Sequence, residues 1–187
     1  GNPPYIRQEE FSNTKTYLQN HFETYSGTAD LYVYFVERGL QIAKTSGNFI
    51  YILPNKWMCA GYGSSLRKWV DQFDIKSIID FGDLPVFEEA TTYPCVWHME
   101  KNSSEQKTFS AANIETLNYP NGMKNYLNSI SFRLNQNMLP ESGWTLVDDK
   151  KQKLLEKIKS SGISLGEYVN GKIFYGIKTG FNEAFVI

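Results

Sequence analysis

The sequence predicts an α/β fold, and three observations carry that expectation. Asn48-Phe49-Ile50-Tyr51-Ile52-Leu53 is a nearly unbroken apolar run closed by Pro54. It reads as a strand buried on both faces, the pattern of a parallel sheet. Leu66, Trp69, Val70 and Phe73 fall at i, i+3, i+4 and i+7, one clean face of a helix. Helix, strand, helix and strand then alternate before a late hairpin, with helices on the faces of the sheet.

In chain order, Gly1 to Tyr5 form an Asn-Pro-Pro-Tyr turn, and residues 6–27 are polar and read as an irregular loop. Thr28 is placed to cap a helix reaching about Lys44, with Leu31, Phe35 and Ile42 as its apolar stripe and Gly47 as its stop. The Asn48–Leu53 strand follows. Gly61 and Gly63 read as a loop, and Ser64 or Ser65 caps the second helix. Ile75 to Phe81 is a strand, Gly82 to Phe87 a loop, and Tyr93 to Met99 a strand with which Lys107 to Ala111 is expected to pair as a hairpin. From Asn113 the pattern changes. Met123, Tyr126, Leu127 and Ile130 suggest a helix, and Asp148 caps another that runs through Ile158 and stops at Gly162. That helix carries Lys150, Lys151, Lys153, Lys157 and Lys159, which reads as a solvated face, with phosphate contact as the competing reading. Ile163 to Ile187 is Gly-rich and β-like.

Composition narrows the function classes. The chain has 187 residues, 41% hydrophobic and 21% charged, which suits one domain, or one domain plus part of a second, and not a disordered tail. A formal net charge of −1 means that any nucleic-acid contact is local. There is no apolar run of membrane-spanning length and no signal-peptide pattern. Cys59 and Cys95 sit in apolar settings and read as free thiols of a reducing cytoplasm. His21 and His98 are isolated, so no metal site is expected.

The chemistry concentrates in the proline turn. Pro3 and Pro4 fix their own φ, lack N–H groups and hold the preceding residues extended, so the turn is stiff before a ligand arrives. The Asn2 side chain and the Pro3 main chain each offer a carbonyl oxygen, and Tyr5 adds a flat aromatic face. Two fixed acceptors suit a planar amino group with two in-plane N–H donors. A rigid loop without a ligand is the competing reading of the same four letters. In an α/β sheet, ligands sit beyond the carboxyl ends of the strands. The Asn2 turn, the Pro54 loop and the Gly82–Phe87 loop would converge there. The chain opens at such a loop with no strand ahead of it, so a preceding strand, and with it the other half of the domain, is expected upstream of Gly1.

The order of these segments resembles the second half of an N6-adenine DNA methyltransferase of the type IIG (Eco57I-like) restriction-modification enzymes. Gly1–Tyr5 resembles the catalytic Asn-Pro-Pro-Tyr motif. Ala29–Phe35 resembles the next helix motif, with Phe35 as a cofactor-side aromatic. Gly47–Trp57 resembles the following strand motif, Phe81–Phe87 and Thr91–Trp97 resemble the loop and strand that complete the base pocket, and Gly176–Phe185 resembles the start of the target recognition domain. The resemblance implies a Rossmann-like class I methyltransferase sheet, with 1–112 the carboxyl half of the catalytic domain, 113–162 a helical connector and 163–187 the beginning of a β-rich recognition domain. It implies S-adenosylmethionine as cofactor, double-stranded DNA as partner, and a base-flipping mechanism. In it, Asn2, Pro3, Pro4 and Tyr5 form the catalytic turn, Tyr5 stacks on the adenine, and Phe87, with Tyr93 as a second candidate, forms the other wall. It also implies a prokaryotic cytoplasmic enzyme.

The family's Gly-rich cofactor motif lies upstream of the Asn-Pro-Pro-Tyr turn, so its absence here predicts that the isolated chain neither binds S-adenosylmethionine well nor methylates DNA. Gly61 and Gly63 lack the pattern and the acidic ribose partner that would replace it. Two alternatives stand beside this reading. One is a protein glutamine N5-methyltransferase, whose substrate amide presents a similar amine, although the long region after Asn113 argues against it. The other is a non-catalytic DNA-binding fragment using the lysine helix and the Gly-rich end.

Overall fold

A computed structural model describes residues 1–87, 92–105 and 107–174. The Gly176–Phe185 stretch, and Thr91 at the head of its motif, lie outside the described residues. The chain forms two compact units, Gly1–Leu146 and Val147–Ile187.

The first unit is a mixed α/β structure around a five-stranded sheet of order β1-β3-β2-β4-β5, with β1 Asn48–Pro54, β2 Asp74–Asp80, β3 Pro94–Glu100, β4 Thr108–Asn113 and β5 Phe132–Asn135. β3 lies antiparallel between β1 and β2, and β4 runs parallel to β2. β1, β2 and β4 therefore point the same way, so their carboxyl ends, Pro54, Asp80 and Asn113, share one edge. The Asn48–Leu53 run is not the both-faces-buried parallel strand its composition suggests. It pairs antiparallel with β3, and Ile50 is 49% exposed. The hairpin partner of β3 is β2, not the Lys107–Ala111 strand, which crosses to the far side of β2. A hydrophobic run reports burial, not partner or direction, so sequence alone mispaired these strands.

Helices α1 Lys15–His21, α2 Tyr32–Ile42, α3 Gly63–Val70 and α4 Met123–Ile130 complete the unit. α1 lies inside the stretch that reads as loop, where Leu18 is its one buried residue and so gives no periodic signal. α2 begins at Tyr32 with Leu31 at its cap position and no side-chain cap, so Thr28 does not cap it. Its buried residues are Tyr32, Val33, Tyr34, Val36, Glu37 and Leu40, whereas Phe35 is 40% and Ile42 75% exposed. The expected stripe chose the wrong face because the true one contains a carboxylate. Glu37 is fully buried and accepts hydrogen bonds from Glu23 N (3.1 Å), Thr24 N (2.8 Å) and Gln41 Nε2 (2.8 Å), which together replace the water it loses. α3 starts at Gly63 rather than behind a serine cap, and Leu66, Trp69, Val70 and Phe73 are buried as their spacing predicts.

The core is centred on tryptophans. Trp57 and Trp97 stack 4.1 Å apart at 14°, and Trp144 meets Trp57 edge-on at 5.1 Å. Arg67, buried on α3, locks this arrangement. Its guanidinium donates to Trp57 O (2.5 Å), to Ala60 O (3.1 Å) and twice to Glu141 O (3.1 and 2.9 Å). It thereby ties α3 to the 3-10 turn Asn55–Met58 and to the segment that carries Trp144.

In the second unit, Asp148 caps α5 (Asp149–Ser160) by accepting from Lys151 N at 2.9 Å, as its position in the sequence predicts. Its five lysines are all exposed. A short α6, Leu165–Tyr168, opens with a capping box between Ser164 and Glu167. No helix among the described residues is long and apolar enough to cross a membrane, and no group of three or more His, Cys, Asp or Glu among them could hold a metal ion.

Candidate functional site at the carboxyl edge of the sheet

The proline turn leaves the sheet beside β1. Gly1 N donates to Ile50 O (2.6 Å) and Ile52 N donates to Gly1 O (3.0 Å), the bonding of a parallel ladder about Tyr51. A Cβ on Gly1 would lie 2.7 Å from the Tyr51 ring, so the backbone approaches this closely only because the residue is glycine. The chain thus runs toward the carboxyl end of β1. Pro3 is buried there and anchors the turn, while Asn2 and Pro4 are exposed.

Tyr5 is held from three sides. Its hydroxyl donates to Ile52 O at 3.1 Å, its ring meets Tyr32 edge-on at 6.4 Å, and it meets Phe87 at 6.4 Å and 68°. Partial burial, with Cys95 adding a smaller contribution, pushes the Tyr5 hydroxyl up to about 12, so it stays a proton donor through neutral pH. Behind it, Tyr32 is fully buried and shares a 2.9 Å hydroxyl contact with Tyr62, and burial pushes both phenols up. Asp30, just before α2, has its carboxyl raised, mainly by burial.

Phe87 is partly buried, neither a core plug nor a free ring. It stands at an angle to Tyr5, so the two rings meet edge to face as a corner and not as parallel jaws. Tyr93 is 39% exposed at the head of β3, where its carbonyl accepts from Asn55 N at 2.7 Å. Phe35 projects from α2 at 40% exposure, apart from the buried face of that helix. Gly63 does not form a ligand cradle: a Cβ there would sit 2.0 Å from Trp57 O, so the glycine serves close packing.

Sequence reasoning did not single out the pair that sets the loop carrying Phe87. Asp80, the last residue of β2, accepts at one oxygen from Asn55 Nδ2 (2.9 Å) and from Gly82 N (3.0 Å). Gly82 has φ +55°, a conformation that suits glycine, and turns the chain toward Phe87. The available signal was positional: Asn55 follows the proline that ends one strand, and Asp80 ends another. Beside this pair lies a groove of about 590 Å³ lined by Asn55, Lys56, Cys59, Asp80, Asn113 and Leu146, among others.

Comparison with known proteins finds similar sequences and a similar fold. Residues 1–87 match the family model described as Eco57I restriction-modification methylase. The chain is 28% identical over its full length to the type II restriction enzyme and methyltransferase RM.Eco57I of Escherichia coli, covering 19% of that protein. It is 25% identical, again over its full length, to the type II methyltransferase M.PaeR7I of Pseudomonas aeruginosa, covering 34% of it. The chain therefore spans about a fifth of the length of the first relative and about a third of the second. The crystal structure of the type IIG restriction endonuclease BpuSI shares the fold, with a TM-score of 0.54 and 14% identity over 83% of this chain and 20% of that one. Residues 1–87 are thus similar to the Eco57I restriction-modification methylase family, and the whole chain is similar to parts of two type II restriction-modification methyltransferases.

Proposed function

We propose that this chain supplies the base-binding half of a site-specific DNA methyltransferase that acts on N6 of an adenine turned out of the duplex, within a restriction-modification or phage-defence enzyme of the prokaryotic cytoplasm. The observation that carries this reading is the aromatic corner at the carboxyl edge. There an exposed Asn2, on a turn anchored by buried Pro3, lies three residues from the ring of Tyr5, which meets Phe87 at 68°. The similarity to RM.Eco57I and M.PaeR7I, both type II methyltransferases, supports it.

An adenine in a duplex is stacked and paired, so its amino nitrogen is reachable only once the base is extruded. In the corner, Tyr5 offers its face to the ring and Phe87 limits the base from the other side. The Asn2 carboxamide oxygen and the Pro3 carbonyl accept the two N6–H bonds. That pulls the amino group out of conjugation with the ring and localises its lone pair away from the two acceptors. S-adenosylmethionine, when bound, supplies an electrophilic methyl group. Of the residues here, exposed Phe35 is suited to lie against it, while the principal cofactor residues are assigned to the other half of the enzyme. The surplus proton on N6 leaves to water, because N6-methyladenine carries no charge at neutral pH. No carboxylate or histidine is required as a base, and Tyr5, with its hydroxyl pushed up to about 12, does not serve as one.

The test is methyl transfer by the whole polypeptide, with isotopically labelled S-adenosylmethionine, to sheared unmethylated genomic DNA, read as N6-methyladenine by mass spectrometry of the nucleosides. Labelled N6-methyladenine that is lost in Asn2→Ala supports the reading. Label in protein glutamine instead, or DNA binding that survives Asn2→Ala and Tyr5→Ala with no methyl transferred, overturns it.

A further inference from the structure

We infer that the groove beside the Tyr5–Phe87 corner is a second nucleotide subsite, which holds a DNA nucleotide next to the extruded base; this rests on the function proposed above. The groove is formed at the carboxyl ends of three co-oriented strands, by Asn55 just past β1, Asp80 ending β2 and Asn113 ending β4. Its volume of about 590 Å³ falls within the range of small-molecule sites and accommodates one nucleotide.

The lining has the chemistry of a base and its phosphate. Met58, Trp144 and Leu146 give it apolar walls suited to the faces of a heteroaromatic ring. Two side-chain amides stand at its rim with fixed orientation. Asn55 Nδ2 donates to Asp80 at 2.9 Å, and Asn113 Nδ2 donates to Leu146 O at 2.9 Å. Each amide spends an N–H on the protein, which orients its carbonyl oxygen as an acceptor for the amino or imino edge of a base. Lys56 is exposed at the same rim and offers a cation to a phosphate.

Asp80 couples the two places. One of its oxygens holds both Asn55 in the groove and Gly82 at the root of the Phe87 loop. Loading the groove therefore bears on the residue that orients the second wall of the corner. This gives a reason for the groove to lie there: a neighbouring nucleotide gripped at Asn55 and Asn113 keeps the strand in place while its target base is out of the stack.

A native probe reports on the groove. Cys59 is exposed and lines it, whereas Cys95 is buried. The experiment is alkylation of the whole polypeptide by N-ethylmaleimide, read at the Cys59 peptide by mass spectrometry. The arms are no addition, S-adenosylhomocysteine alone, and sheared unmethylated genomic DNA. Salt-dependent DNA affinity of Lys56→Ala is measured in parallel, and methyl transfer by the same preparation is recorded. The expected result is that DNA at ten times its dissociation constant slows Cys59 alkylation about tenfold. S-adenosylhomocysteine alone should leave it unchanged, and Lys56→Ala should lower the slope of log affinity against log salt by about 1. Protection by S-adenosylhomocysteine alone overturns the inference, since the groove would then belong to the cofactor. DNA methylation that proceeds with Cys59 unprotected, or with the salt slope of Lys56→Ala unchanged, overturns the subsite and leaves the methyltransferase reading standing. Absence of methyl transfer to adenine overturns that reading and the subsite with it.

Discussion

Asn55 and Asp80 are joined across the carboxyl edge of the sheet by a 2.9 Å hydrogen bond, although 25 residues separate them in the chain. The bond links the ends of β1 and β2, which are not neighbours: β3 runs between them. It therefore spans the mouth of the sheet and fixes the starting point of the loop that delivers Phe87 to Tyr5.

Removing that link loosens one wall of the corner without touching the other. Asp80→Ala leaves Asn55 Nδ2 and Gly82 N without their acceptor. Each lost hydrogen bond is worth about 1 kcal/mol, so about 2 kcal/mol of stability should go, measured as a lower urea midpoint. Affinity for DNA should fall in Asp80→Ala, because Asn55 loses the partner that orients it in the groove, and the rate of methyl transfer should fall with it. Asp80→Asn, which keeps an acceptor oxygen, should restore most of both quantities.

The two functions of Tyr5 separate by substitution. Tyr5→Phe keeps the ring and removes only the donation to Ile52 O, so it should cost about 1 kcal/mol and slow methylation no more than severalfold. Tyr5→Ala removes the stacking face, worth about 1–3 kcal/mol, and should lower kcat/KM by about 10- to 100-fold. Equal effects of the two substitutions would contradict stacking as the role of the ring.

The alkaline limit of stability should carry a contribution from the same residue. Folding raises the Tyr5 hydroxyl from 10.0 to about 12, so the folded state favours the protonated phenol. Its contribution is fully present below pH 10 and is lost as pH rises through about 12. Chemical denaturation of wild type and Tyr5→Phe between pH 9 and 12 should show the two stabilities converging at the alkaline end. A constant difference over that interval would refute the assignment.

Arg67 should be among the most sensitive positions in the first unit. Its guanidinium satisfies the carbonyls of Trp57, Ala60 and Glu141. An apolar replacement such as Arg67→Met leaves three carbonyls short of donors at about 1–3 kcal/mol each. A loss of at least about 3 kcal/mol is expected by chemical denaturation. Arg67→Lys should recover only part of it, because an ammonium cannot reproduce the planar fork.

Titration calorimetry of the isolated chain with S-adenosylmethionine should show no tight binding. Phe35 is the one cofactor-side residue proposed within it, and Gly63 is occupied by packing against Trp57 O. Micromolar or stronger binding by this chain alone would place the cofactor site among its own residues.

Local chemistry was legible from the amino acids in order. The proline-locked turn, the buried face Leu66–Trp69–Val70, the Asp148 cap and the α/β alternation all depend on residues within one helical turn or one strand, and each is a property the chain carries with it. Strand pairing was not legible, because Asn48–Leu53 and Pro94–Glu100 are apolar whichever neighbour they choose, and only closure of the sheet placed β3 between β1 and β2. The buried face of α2 was hidden because Glu37 interrupts it, and a carboxylate becomes a core residue only once Glu23, Thr24 and Gln41 are folded around it. The sequence by itself determined the proline-locked residues Asn2 to Tyr5, to which we assign the holding of an amino group. The tertiary structure decided where Phe87 and the Asn55–Asp80 link stand relative to them, since contacts between residues dozens of positions apart exist only after the sheet has formed.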